Sequence, residues 1–253
     1  MKLTFSEGSY LVTGGAVGIG AAAAEYLVAS GLNVVIADFD VESGTATAER
    51  LASAGPGKAR FVRVDVSEED GVEAAVAETV GVFGPLAGAL NCAAYLPRNK
   101  RVHEITAEHW DKSHAVSLRG MFLCFKHQIT AMQPQGSGSV VAISSTAAVA
   151  AVPGSSDYVS AKAGVNGLVR AAALDYASDG IRVNGIMPGA ILTPGFKQSN
   201  AANPNLGGVA DLLPIKRIGR PEEVAAGAVW LLSNESSYVT GAVLPIDGGL
   251  SAV

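Results

Sequence analysis

Seven short apolar runs recur along this chain, each separated from the next by a longer stretch with helical spacing. They are Ser9–Thr13, Asn33–Ala37, Arg60–Val64, Leu86–Asn91, Ser139–Ser144, Ile181–Ile186 and Ala242–Ile246. The runs are rich in Val and Ile and hardly alternate between polar and apolar. That is the pattern of strands buried on both faces. Such strands form a parallel sheet, and each return to the same edge needs a crossover helix. The intervening segments supply these helices: Gly18–Ser30, Val41–Ala54, Glu68–Phe83, Ala107–Met132, Ser156–Ser178 and Pro221–Ser233. In the first of them Ile19, Ala22, Ala23, Tyr26 and Leu27 share one face. Ser67-Glu68-Glu69-Asp70 and Thr106-Ala107-Glu108 place acceptors and acids at helix starts, and Pro221 suits a first helical position. The expected architecture is α/β: a doubly wound parallel sheet of seven strands with helices on both faces.

The length of 253 residues and the lack of a linker-like stretch predict a single domain spanning 1–253. The Pro- and Gly-containing piece from Pro188 to Arg220 reads as irregular, and a loop of that length in a compact domain predicts a substrate lid. The net charge of −5 and the absence of a basic cluster beyond Arg98, Lys100 and Arg101 argue against nucleic acid. No apolar run is long enough to span a membrane, and the N-terminus lacks a signal-peptide pattern. Cys92 and Cys124 read as core residues, and neither they nor the four His have metal-ligand spacing. A cytoplasmic protein without a metal is expected.

The first strand runs into Thr13-Gly14-Gly15-Ala16-Val17-Gly18-Ile19-Gly20 and an Ala-rich helix. Such a turn lets backbone N–H groups approach a pyrophosphate, with the helix N-terminus behind them. Gly14, Val17, Gly18, Ile19 and Gly20 are therefore candidate cofactor-binding residues. Asp38 closes the second run, 38 − 20 = 18 residues beyond Gly20, where a Rossmann-type fold places a carboxylate for the adenosine ribose. A carboxylate there repels a ribose phosphate. No Arg or Lys occurs among residues 14–20 or 36–40 to attract one, so the expected cofactor is NAD.

Tyr158 and Lys162 are four residues apart and share a helix face. With 6 Tyr and 8 Lys in the chain, chance alone gives roughly 0.2 such pairs. The context sharpens the pattern, since Ser145 follows the fifth run and falls at the carboxyl edge of the sheet, where ligands bind in open α/β folds. A lysine ammonium ~4 Å from a phenol at an effective dielectric of ~20 is worth about 4 kcal/mol before desolvation, enough to bring a tyrosine towards acid–base duty.

With these residues in order, the chain resembles the classical short-chain dehydrogenase/reductase family over essentially its whole length. The matching segments are Thr13–Gly20, Asp65-Val66, Asn91–Ala94, Ile143–Ser145, Tyr158–Lys162, Arg182–Asn184, Pro188-Gly189 with Thr193, and Ile246–Gly249. The resemblance implies Tyr158 as acid/base, Lys162 as its electrostatic partner and a ligand of the nicotinamide ribose, and Ser145 as holder of the substrate oxygen. It implies cofactor contacts from Asp65, Val66, Asn91 and Ala93, from Phe39 beside Asp38, and from Pro188, Gly189, Ile191 and Thr193 near the nicotinamide. Two departures stand out. Asn91-Cys92-Ala93-Ala94 replaces the family's usual Asn-Asn-Ala-Gly, and Ser117 stands where members carry an Asn that anchors a water of the proton relay.

The expected activity is NAD(H)-dependent interconversion of a secondary alcohol and a ketone with an apolar body. Tyr95, Leu96, Ala147, Ala148, Val152 and Met187 are expected near the pocket. The alternatives are a 3-oxoacyl-carrier-protein reductase, against which Asp38 and Asp179 argue, and a cofactor-binding protein without turnover, which only Ser117 favours. The helices Ala107–Met132 and Ser156–Ser178 are apolar over more than one face, and the resemblance implies a homotetramer paired through them.

Overall fold

The computed structural model describes residues 2–97, 99–199 and 206–252. Seven strands form one parallel sheet in the order β3-β2-β1-β4-β5-β6-β7. They are β1 Ser9–Thr13, β2 Asn33–Asp38, β3 Ala59–Arg63, β4 Leu86–Asn91, β5 Gly138–Ile143, β6 Ile181–Pro188 and β7 Val243–Ile246. The Rossmann-type architecture expected from the alternation is the one observed. Strand order reverses at β1, which pairs with β2 on one side and β4 on the other, Thr13 lying opposite both Ala37 and Asn91. That reversal opens a crevice beyond the carboxyl ends of the strands, where such folds bind ligands.

The side chains explain why the strands do not alternate. All of β1 and β4 is buried. Leu11, Val35 and Val140 pack on one face, with residues of helices α3 (Glu69–Phe83), α5 (Gly120–Met132) and α6 (Ser156–Tyr176). Tyr10, Val12 and Ile36 pack on the other, with α1 (Gly18–Ala29), α2 (Val41–Ala54) and α9 (Pro221–Leu232). Asp40 caps α2 by accepting the Ser43 N–H at 3.1 Å.

Three expectations are corrected. The cap of α3 has no side-chain acceptor, because the Ser67 hydroxyl turns back to Asp65 Oδ1 at 2.7 Å. The predicted helix Ala107–Met132 is continuous but not uniform. α4 (Ala107–His114) passes through a π-helical turn, Ala115–Arg119, before α5 begins. Such turns insert an extra residue and frequently mark functional sites; this one carries Ser117. The span 188–220 is less irregular than its prolines imply, since it contains α7 (Pro194–Ser199) and α8 (Leu206–Leu212). Pro194 is tolerated because it opens its helix. The part of this span at 200–205 lies outside the described residues, as does Arg98.

Candidate active site

The turn after β1 is shaped for an anionic ligand. Gly14 has φ +65°, and a Cβ there would stand 2.5 Å from the Ala93 nitrogen. Only glycine lets the turn lie against the segment that leaves β4. A Cβ on Gly20 would fall on the Gly14 carbonyl, so the start of α1 sits directly under the turn. Val17 caps α1 without a side-chain acceptor, and no acid occupies the first turn. The positive end of this helix is thus left to a ligand. Gly18 and Ile19 form its first residues, and Thr193 packs against Gly18, which brings the start of the 188–220 segment to the phosphate turn.

Asp38 is half-buried at the end of β2 and is held from two sides. Its Oδ2 accepts the Ala16 N–H at 3.0 Å, and its Oδ1 accepts the Asp40 N–H at 3.1 Å. Each oxygen keeps lone-pair capacity, so the group remains an acceptor for a ribose diol. Phe39 beside it is exposed, and the Arg63 guanidinium lies 5.1 Å from its ring centroid. Sheet register places Arg63 directly opposite Asp38. Arg63 is distant from Asp38 in sequence, and β3 supplies it across the sheet.

Asp65 and Val66 follow β3; Val66 is buried against Gly120, and Asp65 retains one carboxylate oxygen beyond its bonds to Ser67. Asn91 ends β4 with its side chain buried. Its amide pairs both ways with Gln128, at 2.8 and 2.9 Å, and accepts the Thr13 hydroxyl at 3.1 Å. The side chain is buried under the turn and braces β1 against β4 and α5. Gln128 is the partner that sequence spacing alone does not reveal.

The Tyr158, Lys162 and Ser145 side chains converge at the carboxyl edge of β5. Ser145 accepts the Ala147 N–H at 3.1 Å, which fixes its hydroxyl. Burial pushes the Tyr158 phenol above its usual pKa, and the neighbouring Ser145 hydroxyl opposes that shift. Lys162 is 1% exposed, and burial pulls its ammonium down to about 8. Its Nζ donates to the Ile143 carbonyl at 2.7 Å and lies 5.7 Å from the Tyr158 ring centroid. In this structure burial dominates the Tyr158 phenol, and the Lys162 ammonium donates to the Ile143 carbonyl. Cys92 lies close enough to feel the Lys162 charge, but burial raises its thiol to about 12, so it is an inert packing residue.

Beyond β6, Pro188 accepts the Thr146 hydroxyl at 3.1 Å, and Gly189 lies so close to Asp247 that a Cβ would stand 2.8 Å from its Cα. Ile191 is buried and bridges to Gly219 across the neck of the 188–220 segment. Thr193 caps α7 by accepting the Phe196 N–H at 3.0 Å. Leu96 reaches Gly195 of α7, so the segment after β4 meets the 188–220 segment. Of the other expected pocket residues, Ala147 and Met187 are buried core, the Met187 sulfur taking an Asn166 N–H, while Val152 is exposed at the rim. Ser117 is fully buried and its hydroxyl accepts the Tyr95 N–H at 2.9 Å. Among the described residues no His/Cys/Asp/Glu group could hold a metal ion, and no helix is long and apolar enough to cross a membrane.

A family profile described as enoyl-(acyl carrier protein) reductase matches residues 14–251. The chain belongs to the short-chain dehydrogenase/reductase family. It is 43% identical over 245 residues to 2,5-dichloro-2,5-cyclohexadiene-1,4-diol dehydrogenase of Sphingobium indicum, covering 96% of each chain. It is 39% identical to cis-4-hydroxycyclohexanecarboxylate dehydrogenase of Sinomonas cyclohexanicum, covering 100% of both. The crystal structure of levodione reductase superposes with a TM-score of 0.94 at 36% identity, covering 98% of this chain and 99% of that one. These relatives support secondary alcohol and ketone oxidoreduction as the chemistry of this short-chain dehydrogenase/reductase.

Proposed function

We propose that this chain is an NAD(H)-dependent dehydrogenase that interconverts a secondary alcohol on a six-membered carbocycle and the corresponding cyclic ketone. The observation that carries the reading is the neighbouring Tyr158 and Ser145 side chains beside the buried Lys162, whose Nζ lies 5.7 Å from the Tyr158 ring centroid, at the carboxyl edge of the sheet. The names of the diol and hydroxycarboxylate dehydrogenases above both contain that ring, which supports the substrate class.

The residues fit a dinucleotide. The turn at Gly14–Gly20 receives the pyrophosphate, Asp38 accepts from the adenosine ribose, and Asp65 and Val66 flank the adenine. Ala93, Pro188, Gly189, Ile191 and Thr193 border the nicotinamide half. When bound, NAD supplies the hydride acceptor. Ser145 donates to the substrate oxygen, and Tyr158 exchanges the proton with it. Burial keeps the Tyr158 phenol protonated near neutrality, the form that donates to a ketone. Lys162, buried beside the phenol, would supply a positive charge that favours loss of the phenol proton in the oxidative direction.

Residues 1–253 then act as one catalytic domain of a cytoplasmic enzyme. The face of α4, α5 and α6 that carries Leu118, Phe122 and Leu168 around a groove of about 460 Å³ pairs subunits into a homotetramer. The deciding experiment is turnover of cyclohexanol and cis-4-hydroxycyclohexanecarboxylate against open-chain 2-alcohols, with NAD⁺ and NADP⁺. NAD⁺-dependent oxidation of the cyclic alcohols supports the reading; its absence, with open-chain alcohols oxidised, rejects the substrate class. A light-scattering mass of one chain rejects the tetramer.

A further inference from the structure

Asp157, the residue before Tyr158, is a carboxylate only 1% exposed in the first turn of α6. Its side chain meets His109 of α4, with His109 Nε2 at 3.1 Å from Asp157 Oδ2. The same imidazole meets the Tyr95 ring edge-on, with centroids 5.4 Å apart and planes at 63°. Tyr95 belongs to the segment after β4, is held through its N–H by Ser117, and adjoins Leu96, which touches the lid. One ring thus joins the turn that carries the acid/base residue to the segment that faces the lid.

The geometry points to His109 as a positioning residue that fixes both walls of the substrate site, Tyr158 through Asp157 and Tyr95 through ring contact. This rests on the reading of Tyr158 as acid/base given above. The physical grounds are separate for the two arms. A buried carboxylate left without a partner is costly, so loss of the imidazole forces Asp157 to shift towards another donor, and the first turn of α6 moves with it. An edge-to-face contact is weaker but directional, so its loss loosens the orientation of the Tyr95 ring without breaking the Ser117 bond. Two neighbouring side chains of α4 make other contacts. His114, the next imidazole on α4, turns to Ser160 and the Trp110 carbonyl, and Lys112 lies over Tyr95 at 5.8 Å without reaching α6.

The test uses the full-length enzyme and three variants. His109→Gln keeps an N–H donor for Asp157 but no aromatic ring. His109→Phe keeps the ring and drops the donor. His109→Ala removes both. With NAD⁺ and cyclohexanol, His109→Phe should lower kcat about tenfold with KM within about twofold, because only Tyr158 is displaced. His109→Gln should keep kcat and raise KM several-fold, and His109→Ala should do both. Equal effects of all three on kcat and KM, or loss of thermal stability alone, would overturn the inference. Hydrogen exchange of the unliganded protein gives a second readout that needs no substrate. Exchange should rise in 154–160 for His109→Phe, in 94–97 for His109→Gln, and in both for His109→Ala, with α3 as internal reference. If wild type oxidises no cyclic alcohol, the substrate reading fails while exchange still decides the linkage. Unchanged exchange in both segments of His109→Ala rejects it.

Discussion

The crevice has two sides that are built differently. On the side of β1, β2 and β3, the ligand surface is mostly backbone: the glycine turn, the open end of α1, and one carboxylate pinned by two N–H groups. On the side of β4, β5 and β6, it is made by side chains that reach across long separations, His109 to Asp157 and Leu96 to Gly195 among them. A backbone surface recognises what all its ligands share. A side-chain surface can change its ligand by substitution without disturbing the sheet. Mutations on the first side should therefore alter cofactor use, and those on the second should alter substrate use. Tyr158 and Lys162 stand between the two and should touch both.

The largest effect expected is at that junction. Tyr158→Phe keeps the ring but removes the atom proposed to exchange the proton with substrate. General acid–base catalysis contributes about 10²–10⁴-fold, so kcat should fall by at least about a hundredfold while NADH affinity by fluorescence stays within a few-fold. Near-wild-type turnover would break the assignment of the site.

Next comes cofactor choice. Hydrogen bonds to a charged group are worth about 1.5–3 kcal/mol, so wild type should prefer NAD over NADP by about a hundredfold in kcat/KM. Asp38→Ala should remove most of that preference, since the repelling carboxylate is gone and Arg63 remains on Phe39, opposite the same position. Asp38→Ala with Arg63→Ala should lose the NADP activity again. If the double variant uses NADP as well as the single one does, Arg63 is not part of the subsite. In all three proteins the ranking of alcohol substrates should not change, and a changed ranking would mean that the two sides are coupled.

The sequence exposed these sides unequally. Backbone sites need glycines at fixed places and a carboxylate at a strand end, so Gly14, Gly20 and Asp38 can be recognised from spacing alone. The strands were legible for the same reason, since a strand buried on both faces has no freedom in its pattern. Contacts such as Asn91 with Gln128 and Asp38 with Arg63 are set by register and crossover, which no local pattern encodes. The π turn at Ala115–Arg119 left the apolar spacing of its helix intact and so was invisible. Lys162 was visible as a motif, but its burial and its bond to Ile143, which decide its charge, were not.

Lys162 gives the third test, on stability. Its pKa is about 8 when folded, against an ordinary value of 10.5. Between those values the unfolded chain binds more protons than the folded one, so folding stability should rise with pH across that window. Below about pH 8 the buried ammonium carries its full penalty, on the order of 3 kcal/mol. Lys162→Met should therefore melt higher than wild type at pH 7, with the advantage fading as pH approaches 10, while turnover is lost. A constant difference in Tm from pH 6 to 10 would show that Lys162 is neither dry nor depressed.

The smallest effect is expected at Ser117, and its pattern distinguishes a relay from a brace. In the structure the hydroxyl accepts the Tyr95 N–H and lies 3.5 Å from the Tyr95 carbonyl, so it holds the segment that faces the lid. Ser117→Ala leaves a buried N–H without its partner, at a cost of about 1–3 kcal/mol. As a brace, Ser117 should show that loss in Tm and a few-fold rise in KM for cyclic alcohols, with kcat and NADH affinity unchanged. As the anchor of a relay water, it should show a fall in kcat that Ser117→Asn restores. The side chain is fully buried in a π turn, and the additional heavy atoms of Asn must displace neighbours there. Ser117→Asn is thus expected to be less stable than wild type and no faster. A Ser117→Asn enzyme with wild-type Tm and higher kcat would return this position to proton transfer and make the substrate side part of the catalytic machinery rather than its frame.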